Sequence, residues 1–200
     1  MTKNKQTGSY YTPKKLSNFI VNYLSKHIQS SISVLEPSVV DGSFVNAMND
    51  FLKNQQNLTL TILDINGAEL EKAKQKAQNK MLFQRVESIN DDYLKFYENC
   101  SQKFSLIIGN PPYIKSNLLN EDQISLCKTI HKEAKLSDKK INNIWTSFVV
   151  GANKFLEEDG ILSFVLPTDL LQVQYSEEIR HFLVNEFDRI EIFTLDRNIF

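Results

Sequence analysis

FSLIIGNPPY, Phe104–Tyr113, is the most informative run in this chain. Phe104–Ile108 is a short unbroken apolar segment of the kind that forms a buried strand, and it stops at Gly109. Asn110, Pro111, Pro112 and Tyr113 then fall in a turn at the strand's carboxyl end. Two successive prolines fix their own φ angles, remove two backbone donors and push each preceding residue out of the helical region. The turn is therefore stiff. It offers an Asn carboxamide oxygen, backbone carbonyls without a local N–H partner, and an aromatic face. That set suits a planar ring bearing an amino group, because two acceptors take its two N–H bonds while the ring lies on Tyr113. The plainer reading of the same residues is a strand, a proline turn and a surface tyrosine.

On the amino-terminal side, short apolar runs alternate with helical periodicities. Leu16, Phe19, Ile20, Tyr23, Leu24 and Ile28 recur at helical spacing and predict a helix over 13–29, with Thr12 as N-cap and Pro13 as first helical residue. Strands are predicted at Ile32–Leu35, Leu58–Leu63 and Phe83–Val86, with helices over 43–52 and 67–80 between them. On the carboxyl side, helices are expected over 121–135, 144–156 and 175–186, and strands at Ile161–Leu166 and Arg189–Leu195. Ile161–Leu166 is apolar throughout, which suggests a central strand covered on both faces. Strands alternating with helices along the whole chain imply an α/β fold, a Rossmann-like, doubly wound, mostly parallel sheet.

Three loops on this scaffold carry candidate chemistry. LEPSVVDGSF, residues 35–44, places an acidic, glycine-containing turn between a strand and a helix, the layout of a nucleotide-type cofactor site. Asp64 ends the second strand 28 residues beyond Glu36, where such folds bind ribose hydroxyls; it also suits a cap for the next helix. In INDDYL, residues 89–94, Asp92 can present a carboxylate to an exocyclic amine and Tyr93 an aromatic edge to a purine, or Asp91 and Asp92 can simply form a turn. Six lysines are spread over 115–140 against four acids, a small positive excess that fits either a phosphate-tracking face or a solvated helix. His27, His131 and His181 have no carboxylate or cysteine partner at a telling spacing, and none is given a catalytic role.

Composition narrows the field. Two hundred residues, 42% of them hydrophobic, suit one substantial domain. A formal charge of −1 gives no global attraction to nucleic acid, so any phosphate binding is local. Cys100 and Cys127 are too few and too far apart for a disulfide framework or a zinc site, so a cytoplasmic location fits best. No apolar run approaches membrane-spanning length, and the polar start is not a signal peptide.

Taken in order, GSYYTP, LEPSVVDGSF, Asp64, DDYL, NPPY, ILSFVLP and RNIF resemble the motif series of γ-class adenine-N6 DNA methyltransferases, the N-6 DNA methylase family of restriction and modification systems. The resemblance covers nearly all of the chain and implies the sheet of class I S-adenosylmethionine-dependent methyltransferases. It implies S-adenosylmethionine as cofactor and double-stranded DNA as partner, with a flipped-out adenine as methyl acceptor in a restriction-modification or phage-defence setting. Carried over by position, Tyr11 and Thr12 close over the methionine end of the cofactor. Glu36, Ser38 and Gly42 line its amino acid part, Asp64 holds the ribose, and Asp92 with Tyr93 holds the adenine. Asn110 and the Pro111 carbonyl bind the target amine, with Pro112 stiffening the turn; Tyr113 and Phe200 sandwich the base. The chain departs from the family at Val40, where glycine is usual and a β-branched residue narrows the pocket or forbids a positive φ. It also ends at Phe200, before a last strand and a target-recognition domain, which suggests a truncated chain or one completed by a separate subunit. Enzymes that methylate RNA or a protein glutamine share NPPY but usually lack YYTP; they, and an idle DNA- or partner-binding scaffold, are the alternatives.

Overall fold

A computed structural model describes residues 11–28, 31–53, 57–80, 82–139 and 141–194. Strands β1 (Ile32–Pro37), β2 (Leu58–Leu63), β3 (Phe83–Ile89), β4 (Phe104–Gly109) and β5 (Leu156–Phe164) pair in the order β3-β2-β1-β4-β5, every pairing parallel. Parallel neighbours need crossover helices, and the chain supplies them in turn. Helix α1 (Lys14–Leu24) precedes β1, α2 (Ser43–Phe51) and α3 (Gly67–Asn79) flank β2, and α4 (Tyr93–Asn99) leads to β4. Helices α5 (Glu121–Glu133) and α6 (Trp145–Phe155) connect β4 to β5, and α7 (Asp169–Gln172) and α8 (Glu177–Glu186) follow. The strand order reverses between β1 and β4.

Alternation along the central strands fills both faces of this sheet. Val34, Leu106 and Ile108 pack with α1, α2 and α3 through Val21, Met48 and Ala73. Leu35 and Ile107 point the other way, into a core built on Trp145, Phe148, Phe155 and Phe182. The doubly wound α/β expectation holds. No helix among the described residues is long and apolar enough to cross a membrane.

Four expectations change. Helix α1 begins at Lys14 with Pro13 as N-cap: the Pro13 carbonyl accepts from Leu16 and Ser17, and no side chain caps the helix, so Thr12 is left for another task. Strand β5 starts at Leu156, directly after α6, and stands at one edge of the sheet among the described residues; residues 161–166 are only half-buried instead of covered on both faces. Residues 189–194 form no strand. Aromatic contacts take them to α1 instead, with Phe193 edge-on to Phe19 at 5.5 Å and to Tyr23 at 5.0 Å, and the Tyr23 hydroxyl donating to Glu191 at 2.6 Å. Finally, α4 is a helix that periodicity misses at seven residues; Asp92 caps it by accepting the Leu94 N–H at 2.9 Å.

Candidate active site

The carboxyl ends of all five strands share one edge, and the loops there are tied to one another. After β1 the backbone is left-handed at Ser38 (φ 67°), Val40 (φ 48°) and Gly42 (φ 70°). Glycine is favoured at the last of these, because a Cβ would be strained at that φ and would also sit 3.1 Å from the Cα and Cβ of Ala73. Val40 adopts the positive φ despite its branched side chain, a strain of about 1–2 kcal/mol. The neighbouring strand holds it there: the Leu63 carbonyl accepts the Ser38 and Val39 N–H groups, and Asp64 Oδ2 accepts the Val40 N–H at 2.8 Å.

Beneath this loop lies a small cavity lined by Thr12, Glu36, Ser38, Val40, Ser43 and Asn110, among others. Glu36 is 1% exposed, and its Oε2 has no hydrogen-bond partner among the described residues. Burial pushes its carboxyl well above the usual range, and Asp41 and Asp64 push it further. A buried acid oxygen without a partner is unfavourable as an anion, and either a proton or a cationic ligand relieves it. The amino acid end of S-adenosylmethionine carries an ammonium, with the sulfonium beyond it, so the chemistry of this lining suits that end of the cofactor, although the cavity as it stands has room for about one water molecule. Sequence reasoning named Glu36 but could not reveal its missing partner.

The rest of the edge runs outward from Asp64, which is 7% exposed. Its Oδ1 accepts the Asn66 N–H at 2.8 Å; burial raises its pKa, and the backbone bonds from Asn66 and Val40 oppose the rise. Each oxygen keeps a second lone pair for a hydroxyl. Ile65 follows, 64% exposed, on the rim of a cavity of about 290 Å³ that also includes Asn90, Asp92, Asn120 and Gln123. Asp92 Oδ2 accepts from Gln123 Nε2 at 2.9 Å. Ile65 and Gln123 escape sequence reasoning, although an apolar residue directly after an acidic strand end is a usable signal. Tyr93 does not face this cavity. Its ring stacks on Phe148 at 4.1 Å and its hydroxyl donates to the Phe148 carbonyl, so it is a core residue.

The turn after β4 lies against the first cavity. Asn110 Nδ2 donates to Thr12 Oγ1 at 3.2 Å, and the Tyr113 hydroxyl lies 2.9 Å from both Asn110 Oδ1 and the Val165 carbonyl. The Val165 N–H in turn donates to the Gly109 carbonyl, which joins the turn to the end of β5. Pro111 is buried; Tyr113 is half-buried and less exposed than the sequence suggests. Tyr11 is 43% exposed and lines neither cavity. Phe200 lies outside the described residues.

A parallel sheet ordered in this way, with an acidic cradle after β1, an acid after β2 and a donor-accepting turn after β4, defines the class I S-adenosylmethionine-dependent methyltransferase fold. In overall shape the chain matches a Listeria monocytogenes protein described as such a methyltransferase, with a TM-score of 0.71 and 16% identity over 92% of this chain and 55% of that one. Residues 8–200 match the model of the Eco57I restriction-modification methylase family, and the chain belongs to that family. It is similar to the type II methyltransferase M.BanIII of Aneurinibacillus aneurinilyticus, 27% identical over 98% of this chain and 36% of that protein. It also resembles the modification methylase CviBIII of Paramecium bursaria Chlorella virus NC1A, 26% identical over all of this chain and 48% of that protein. The chain thus spans between about a third and a half of these relatives.

Proposed function

We propose that the protein transfers a methyl group from S-adenosylmethionine to the N6 amino group of an adenine flipped out of double-stranded DNA, as the modification half of a restriction-modification system. The observation that carries this reading is that Asn110 of the proline turn and the buried, unpartnered Glu36 line one cavity. A site for a cationic amino acid and a site for an amino group therefore adjoin, at the point where the strand order reverses.

Bound S-adenosylmethionine supplies an electrophilic methyl group on a positively charged sulfur. Glu36 would hold its ammonium beside Ser38 and Gly42, Asp64 the ribose, and Asp92 the adenine, with Ile65 beneath the ring. An adenine amino group is a poor nucleophile because its lone pair is delocalised into the ring. Asn110 Oδ1 and the Pro111 carbonyl accept its two N–H bonds, which favours a pyramidal nitrogen with the lone pair turned toward the cradle. Their effect comes from position and preorganised dipoles. No strong base is needed before attack, because the methylated nitrogen is acidic enough to lose its extra proton afterwards. The base must first leave the duplex, at a cost of a few kcal/mol that contact with Tyr113 offsets in part. Pro112 keeps the turn rigid.

Choice of DNA sequence is assigned to a further domain or a partner subunit, in keeping with a chain that spans only about a third to a half of the relatives it matches, and a net charge of −1 supplies little of the phosphate attraction. The test is to incubate the full-length protein with labelled S-adenosylmethionine and unmethylated duplex DNA, RNA or total protein, then to identify the labelled product. Label in N6-methyldeoxyadenosine is the expected result. Label in RNA or in glutamine would overturn the substrate.

A further inference from the structure

We propose that Gln123, in the first turn of α5, is a positioning residue for Asp92: its amide fixes the plane of the carboxylate that meets the purine amino group of the cofactor. The inference rests on the reading above that Asp92 holds the cofactor's adenine, and it brings the segment between β4 and β5 into the choice of cofactor.

A carboxylate fixed at one oxygen still swings about that bond, because the torsion that turns its plane is soft. Asp92 Oδ1 accepts the Leu94 N–H at 2.9 Å as N-cap of α4, which leaves the plane undetermined. Gln123 Nε2 donates to Oδ2 at 2.9 Å and supplies the second point. The Gln123 amide is itself set by partners with no choice of role. Its Oε1 accepts the Asn120 N–H at 3.3 Å, half of a capping box that Asn120 Oδ1 completes by accepting the Gln123 N–H at 2.8 Å. A backbone N–H only donates and an ionised carboxylate only accepts. Turned over, the amide would set donor against donor and acceptor against acceptor, so one orientation satisfies both partners.

Three observations assign this bond to ligand recognition instead of to the fold. Asp92 and Gln123 both line the cavity of about 290 Å³ that Ile65 borders. The packing of α5 on α4 does not run through them, because Cys127 and Ile130 are buried in one core with Leu94 and Tyr97. The cap of α4 is also complete without Gln123, since Oδ1 accepts the Leu94 N–H. What Gln123 adds is the placement of Oδ2. An acceptor held there suits a purine with an amino group, opposes a carbonyl oxygen and gains nothing from a hydrogen.

The test compares wild type, Gln123→Met, Asp92→Ala and the double variant of the full-length protein. It reads equilibrium binding of S-adenosylhomocysteine and of the same molecule with hydrogen in place of the purine amino group. Wild type is expected to prefer the amino form roughly tenfold, the equivalent of one hydrogen bond to a charged group. Gln123→Met, similar in length but without a donor, should cut that preference to about twofold or less. In the Asp92→Ala background it should change the preference no further. A Gln123→Met protein that keeps the full preference, loses affinity for both ligands equally, or still shifts the preference when Asp92 is absent overturns the inference and leaves Asp92 at the adenine. A wild type without preference overturns the placement of Asp92 as well, and leaves the transfer chemistry to the labelled-product assay.

Discussion

The carboxylate of Asp64 accepts the backbone N–H of Val40 at 2.8 Å, joining the end of β2 to the loop after β1. Its other oxygen accepts the Asn66 N–H, so one side chain shapes two of the loops that frame the cavities. Asp64→Ala leaves two N–H groups without their charged acceptor. The expected loss is about 2–4 kcal/mol of stability without any cofactor, together with weaker cofactor binding. Urea unfolding of the cofactor-free protein checks the first part, and an unchanged midpoint would show that the tether carries no load.

Val40 sits in the left-handed region with its side chain buried. Glycine is ordinarily less favourable than alanine by up to about 1 kcal/mol, and here the order inverts. Val40→Gly should be more stable than Val40→Ala by about 1 kcal/mol. Melting temperatures of the two variants decide it; alanine above glycine would mean the positive φ carries no strain.

Burial keeps a proton on Glu36 that the unfolded chain gives up, because its folded pKa lies well above 4.5. The stability this confers is fully present below the unfolded value and is lost as pH rises through the folded one. Glu36→Gln removes that loss, so the variant should melt above wild type at neutral pH, by a margin that shrinks as pH falls toward 4.5. Cofactor affinity should move the opposite way. An ammonium favours the ionised acid, so binding releases a proton and wild-type affinity rises with pH. Calorimetry in buffers of different ionisation enthalpy reads that proton. If Glu36→Gln neither stabilises the protein nor weakens binding, the cradle is misassigned.

His131 lies beneath α6, its Nε2 3.3 Å from Thr146 Oγ1, and burial lowers its pKa from 6.5 to about 4. A depressed pKa means stability is present above 6.5 and is lost as pH falls toward 4. The loss is on the order of 3 kcal/mol. His131→Gln, which cannot titrate, should flatten the pH dependence of unfolding across that window; an unaltered slope would place the acid sensitivity elsewhere.

The parts of this fold legible in sequence are those fixed by local chemistry. FSLIIG reads as a strand, the double proline as a stiff turn, and LEPSVVDGSF as a strand–loop–helix unit, because each is set by neighbours a few residues away. What was not legible depends on distant partners. An apolar run such as ILSFVL looks the same in a central strand and at the edge, and only the sheet order places it at one edge among the described residues. RIEIFTL alternates like a strand, yet Phe193 goes to the aromatic residues of α1. Tyr93 follows a pair of aspartates as a cofactor-binding residue would, but a ring 55 residues further on draws it into the core. Thr12 has the look of a helix cap, and its structural partner is Asn110.

The most direct test is the single-turnover rate of methyl transfer to duplex DNA by the full-length protein carrying Asn110→Ala, at saturating S-adenosylmethionine. Removing the acceptor that holds the amino group should slow transfer by roughly a thousandfold or more, while cofactor affinity stays within about twofold of wild type. Near-normal transfer by this variant would contradict the assignment of Asn110 and, with it, the mechanism.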